Sequence, residues 1–183
     1  MEKQGIAFIA AIVGLVVIVS GLSYLYIGSG QTGYENGNGV DDPNEGLQLA
    51  PVFTLPQVGG GNVMLADYSG KVLVLDFMAT WCGPCVTEIG HLKEIDQKYG
   101  SDVAIVSIDV DRDEDDAILQ PFIAQHGITW PVLRDTGGVS AASGYSASSI
   151  PTLVIVNQDG YIKDRFVGVT SASTLESVID SIL

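Results

Sequence analysis

The chain has 183 residues, 46% of them hydrophobic, and a formal net charge of −14. That length suits one domain with an appendage. The acidic balance excludes nucleic-acid binding, which needs basic patches, and disfavours adsorption to anionic lipid.

In chain order the first feature is Gly5–Ile27, "GIAFIAAIVGLVVIVSGLSYLYI", which holds no charged residue. As a helix it would reach roughly 35 Å, enough to cross a hydrocarbon core of about 30 Å. A cleaved signal peptide would have a shorter apolar region ending in an A-x-A-like site, and none follows. The run is read as an uncleaved, single-pass anchor over residues 1–27. Lys3 precedes it, and no Lys or Arg follows until Lys71. By the positive-inside rule the N-terminus is cytoplasmic and the remainder extracytoplasmic. Residues 28–46, rich in Gly, Asn and acids, read as a flexible tether. Residues 47–183 form the expected domain.

Within that domain "PVFTLPQVGGGNVML" reads as two short strands around a glycine turn. "KVLVLDFM" (Lys71–Met78) is a nearly continuous apolar run, the mark of a strand covered on both faces. A helix follows, with Val86, Ile89, Leu92 and Ile95 at helical spacing and Gly100 as its stop. "DVAIVSIDV" (Asp102–Val110) is a second buried strand. "DEDDAILQPFIAQHG" reads as a helix with an acidic start and a possible kink at Pro121. "TLVIVNQDGYIKDRFVG" is a hairpin turning at Asp159-Gly160. "SASTLESVIDSIL" is a helix capped by Ser171 or Ser173. The order describes an α/β sandwich with a mixed central sheet.

Cys82 and Cys85, the only cysteines, stand in "DFMATWCGPCVTE" (Asp76–Glu88). As a staple they would close a very short loop, with roughly 2 kcal/mol of stabilisation. As zinc ligands they would need His91 and His126, which lie far apart in the sequence. A reactive pair fits the local physics better. Cys82 falls at the N-cap of a helix whose first turn contains Pro84, where a missing N–H is harmless. The helix N-terminus stabilises a thiolate there. Cys85 lies one turn further in, so one sulfur attacks and the other resolves. Asp76 interrupts an apolar strand and Glu88 follows Cys85 on the same helical face. Both are candidate proton handlers. The acidic run Asp109–Asp116 lacks the Gly and Glu of a calcium loop and reads as a solvated loop and helix start. Trp130 reads as core.

These residues resemble the thioredoxin superfamily. "WCGPC" matches its active-site motif, and "VLVLDFMATWCGPC" matches the preceding strand with its buried acid. "SIPTLVIVNQDGYIKDRFVG" resembles its second half. The resemblance implies a thioredoxin-like fold, a redox-active Cys82–Cys85 disulfide, and an active-site loop of Trp81, Gly83 and Pro84. It implies a cis-proline loop of Ile150, Pro151 and Thr152 that binds substrate. The anchor, the lead-in "APVFTLPQVGGGNVMLADYSGKVLVLDF", Glu88 and the segment Asp109–Thr152 are similar to the membrane-anchored TlpA/ResA-like reductases. For that group the expectation is a monomer with no bound cofactor. It would act on disulfide-bearing proteins and be re-reduced by a membrane thiol reductase. An oxidase or isomerase, a peroxidase, and a soft-metal delivery protein are the rivals. Met78, Val86, Gly90 and Ile105 depart from the family pattern. Val86 replaces a basic residue, and Ile105 takes the place of the lysine beside the buried acid.

Overall fold

A computed structural model describes residues 42–137 and 141–183. The predicted anchor and most of the tether lie outside them. Among the described residues no helix is long and apolar enough to cross a membrane. The folded unit is Pro43–Leu183, so it takes in the last residues of the tether. Asn44 accounts for this. Its amide donates to Asp159 Oδ2 at 3.0 Å and its oxygen accepts from Asn157 Nδ2 at 2.7 Å. These bonds hold the entry of the chain on the turn of the final hairpin.

The strands are β1 (Gln48–Leu49), β2 (Thr54–Pro56), β3 (Asn62–Met64), β4 (Val72–Met78), β5 (Val103–Asp109), β6 (Val132–Arg134), β7 (Thr152–Val156) and β8 (Tyr161–Val167). The α-helices are α1 (Gly83–Tyr99), α2 (Asp116–His126), α3 (Ala141–Gly144) and α4 (Ala172–Asp180). Six strands form one mixed sheet in the order β1-β8-β7-β4-β5-β6. β4, β5 and β6 are parallel, and β7 runs antiparallel to β4. Parallel neighbours need crossovers, which α1 and α2 supply. β2 and β3 form the glycine-turn hairpin read from the sequence.

β4 is buried along its whole length, and its alternation separates two cores. Val72, Val74 and Met78 pack with α1, α2 and α4 through residues such as Ile89, Leu119 and Leu175. Leu73, Leu75 and Phe77 pack on the other face with Phe53, Leu55 and Tyr145. Tyr145 is the largest fully buried side chain there. Its ring lies 5.6 Å from Phe77, and its hydroxyl donates to Pro51 O at 2.7 Å. Asp76 therefore faces the α1 side, opposite Leu75 and Phe77.

The helices begin and end where capping chemistry allows. Asp115 accepts from the backbone N–H groups of Ala117 and Ile118, and α2 runs through Pro121 to a left-handed Gly127. Ser171 caps α4 by accepting from Thr174 N at 3.3 Å. Because α4 buries Leu175 and Ile179, Ser171→Ala is expected to cost about 1 kcal/mol of stability. The measurement is urea denaturation of the oxidised protein. An unchanged midpoint would remove the cap from the account of α4.

Candidate active site

β4 ends at Met78, and the chain turns through Ala79–Cys82, where Cys82 N donates to Ala79 O at 3.2 Å. Cys82 is then the N-cap of α1, with Gly83 opening the helix and Pro84 behind it in the first turn. The position lies at the carboxyl end of a central strand, where α/β sheets place their sites. The cysteines are bonded to each other, with an S–S distance of 2.06 Å. Cys85 N donates to Cys82 Sγ at 3.2 Å. Once the bond is reduced, the same N–H and the helix terminus face the Cys82 sulfur. Cys82 is 5% exposed and Cys85 1%, so the outer sulfur is the N-terminal one.

Asp76 is buried on the same sheet face as Cys85 and α1. Its Oδ2 accepts from Ser107 Oγ at 2.8 Å, and Ser107 Oγ accepts from Trp130 Nε1 at 2.9 Å. Oδ1 has no partner among the described residues. Burial pushes the Asp76 carboxyl up to about 7; the Ser107 bond opposes this and the charge of Glu88 adds to it. Strand pairing puts Ser107 directly opposite Asp76, and Ile105 opposite Val74. A neutral hydroxyl thus partners the acid.

Glu88 is fully buried. Its Oε2 accepts from Thr170 N at 2.7 Å, just ahead of α4. Among the described residues Oε1 has no hydrogen-bond partner, and it lies 4.0 Å from His91 Nδ1. Burial raises its carboxyl above the usual range; the Thr170 N–H and His91 pull the other way. Two buried acids thus share the α1 side of the sheet with the cysteine pair. Among the described residues each has one oxygen without a hydrogen bond.

Trp81 is 67% exposed, and its Nε1 donates to Asp111 Oδ2 at 2.7 Å. Gly83 and Pro84 are exposed beside it. The Ile150–Pro151 peptide is cis. Phe77 pairs with Thr152, so Pro151 stands at the same end of β4 that leads to the cysteines. Ile150 packs against the core that contains Cys82 and Cys85. Thr152 is buried, its hydroxyl donates to Ser149 O at 2.7 Å, and its backbone lies between β4 and β8. Val167 and Val169 are exposed apolar residues on the segment whose Gly168 N donates to Pro151 O at 2.8 Å. His126 packs against Phe122 with the rings tilted at 49° and their centroids 4.4 Å apart. Among the described residues no group of three or more His, Cys, Asp or Glu side chains is arranged to hold a metal ion.

Ser107, Trp130, Asp111 and Glu114 are site residues that the sequence reading did not name as such. Ser107 left a signal. Like Asp76, it is a polar residue inside an otherwise apolar strand.

Residues 45–183 match the Redoxin family. The chain belongs to that family. Within it, this redoxin is similar to the thiol-disulfide oxidoreductase ResA of Bacillus thuringiensis (strain Al Hakam). The two are 30% identical over 161 residues, covering 86% of this chain and 92% of that one. It is also 31% identical over 134 residues to the thioredoxin-like protein YneN of Bacillus subtilis (strain 168), covering 73% and 78% of the two chains. Among solved structures, a DsbF homologue from Corynebacterium diphtheriae has a TM-score of 0.68 at 30% identity, covering 76% of this chain and 89% of that one. The redoxin is a TlpA/ResA-like member of the thioredoxin superfamily, and its enzymatic role is that of a protein thiol–disulfide oxidoreductase. The substrate of such an enzyme carries a disulfide.

Proposed function

We propose that this redoxin is a membrane-anchored, extracytoplasmic reductase of protein disulfides. The Cys82 thiolate attacks one sulfur of a substrate disulfide. That disulfide breaks, one substrate sulfur leaves as a thiolate, and a mixed disulfide forms. Cys85, deprotonated, then attacks Cys82 Sγ and releases the second substrate sulfur. Two electrons pass to the substrate and the Cys82–Cys85 bond is restored. The backbone of Ile150, just before the cis Pro151, pairs with the substrate backbone beside the sulfurs, with the exposed Trp81, Val167 and Val169 as apolar contacts. The enzyme works as a monomer, and a membrane thiol reductase recharges it.

The observation that carries the direction is the charge balance around the sulfurs. Strong oxidants of this chemistry owe their potential to a stabilised reduced form. Here two buried acids flank the pair in sequence, Asp76 on the preceding strand and Glu88 one turn after Cys85, and Val86, not a cation, follows Cys85. With no cation beside them, and with acids that ionise above their raised values, the thiolates gain little stabilisation beyond the helix terminus, which supports electron donation. The anchored, outward-facing location rests on the apolar run Gly5–Ile27 and on Lys3 before it. The test is twofold. The full chain should stay with membranes in alkaline carbonate, and a membrane-impermeant maleimide should label its reduced thiols in intact cells. Release by carbonate, or labelling only after lysis, would overturn the location.

Glu88 is assigned the deprotonation of Cys85. Its raised carboxyl becomes a base as pH climbs through its elevated value, so resolution should accelerate over that range. Glu88→Gln is expected to slow decay of the mixed disulfide roughly 10²-fold at neutral pH and to abolish that rise. Quenched-flow gels of the mixed disulfide make the measurement. An unaltered pH profile would remove Glu88 from the mechanism.

A further inference from the structure

The acidic run Asp109–Asp116 does more than solvate a loop. Glu114 is nearly buried at 8% exposure, although it sits among exposed acids. Both of its carboxylate oxygens accept from one residue 34 positions upstream, and its carboxyl also lies against that of the buried Asp109. Thr80 N donates to Oε2 at 3.1 Å, and Thr80 Oγ1 donates to Oε1. Thr80 lies inside the turn closed by Cys82 N and Ala79 O, immediately before Trp81 and the nucleophile. The loop that carries Glu114 is itself braced. Asp109 is fully buried, and its Oδ1 accepts from Asp111 N at 3.1 Å. Glu114 N donates to Asp111 O at 3.3 Å. The loop is joined to the end of β4 as well, because Val110 N donates to Met78 O at 2.9 Å.

We propose that Glu114 is a positioning residue for the nucleophile: by gripping both donors of Thr80 it fixes the Ala79–Cys82 turn and so holds Cys82 Sγ at the N-terminus of α1. A carboxylate suits this task. It presents two acceptors in one plane, matched to an N–H and an O–H on adjacent atoms of one residue, and charge-assisted bonds are the stronger kind. The helix terminus stabilises a thiolate only within its first turn. A turn that drifts would therefore return Cys82 toward the behaviour of an ordinary thiol with a pKa of about 8.5. The inference rests on Cys82 as the attacking sulfur and is independent of the direction of electron flow.

The experiment uses the chain in a Cys85→Ser background, where Cys82 is the single thiol. Its iodoacetamide alkylation rate is measured against pH, together with its rate of attack on glutathione disulfide at pH 7. Glu114→Ala is expected to raise the pH midpoint of alkylation toward that of a free thiol and to slow the attack about tenfold or more. Thr80→Val, which loses the hydroxyl donor but keeps the N–H, should slow it by an intermediate factor. Thr80→Ser, which keeps both donors, should stay within about threefold of the parent, and Glu114→Gln, with one acceptor and no charge, should fall between the parent and Glu114→Ala. The Glu114→Ala/Thr80→Val double variant should be no slower than Glu114→Ala alone, since both changes break one grip. Should Glu114→Ala fail to fold, the contrast between Thr80→Val and Thr80→Ser decides. Alkylation profiles and attack rates that match the parent in folded Thr80→Val, or effects that multiply in the double variant, would overturn the proposal.

Discussion

Cys85→Ser should arrest the enzyme on its substrates. Cys82 is the helix N-cap and the more exposed sulfur, while Cys85 is 1% exposed behind it. Attack by the outer sulfur remains possible in this variant, but the mixed disulfide has no resolving thiol. The expected product is a covalent enzyme–substrate adduct that survives denaturing gels and dissolves in reductant. Turnover in an insulin-reduction assay should fall by at least about 10³-fold, because loss of one member of a two-group machine removes nearly all of its catalysis. Cys82→Ser should lose as much turnover and trap nothing. Adducts through Cys85 in the Cys82→Ser variant would invert the assignment of the two sulfurs.

Asp76→Asn should stabilise the oxidised protein at alkaline pH and leave it unchanged in acid. Burial raises the Asp76 carboxyl from its ordinary 3.8 to about 7. Between those values the folded chain holds a proton that the unfolded chain has released. Stability therefore falls as pH rises through this window and levels off above it. Three units correspond to roughly 4 kcal/mol as an order of magnitude. An amide keeps the oxygen that accepts from Ser107 Oγ and never ionises. The gain for Asp76→Asn should grow from near zero at pH 4 to about 2–4 kcal/mol at pH 8, read from urea denaturation at both values. The raised carboxyl of Asp109 is present in both proteins and cancels in the difference, while Glu88 is coupled to Asp76 by charge, so the gain reports Asp76 together with that repulsion. A gain that does not change with pH would show that the acid is not held protonated by its surroundings.

Much of the fold was legible because its signals are local. An apolar run bounded by turn residues marks β4 and β5, and Asp159-Gly160 marks the β7–β8 hairpin. Helical spacing after "CGPC" marks α1. β6 escaped because it has three residues directly after a proline and shows no period. β1 has two residues and takes its identity from pairing with β8 alone. The site divides in the same way. Cys82, Cys85, Asp76 and Glu88 share one segment, so their spacing displays their relation. Ser107 reaches Asp76 from β5, and Trp130, between α2 and β6, reaches Ser107. Glu114 reaches Thr80 from the acidic run. A charge run reads as solvated until the fold supplies a partner, and here Asp109 and Glu114 turn inward while Asp113 and Asp115 stay in water.

To act as a reductase, this redoxin needs a dithiol form that is unstable relative to its Cys82–Cys85 disulfide. Equilibration of the full chain with glutathione or dithiothreitol buffers, read by alkylation of free thiols, gives the potential of the Cys82–Cys85 pair. A reductase requires a midpoint toward about −270 mV; a midpoint near about −120 mV, that of a strong oxidant, would contradict it.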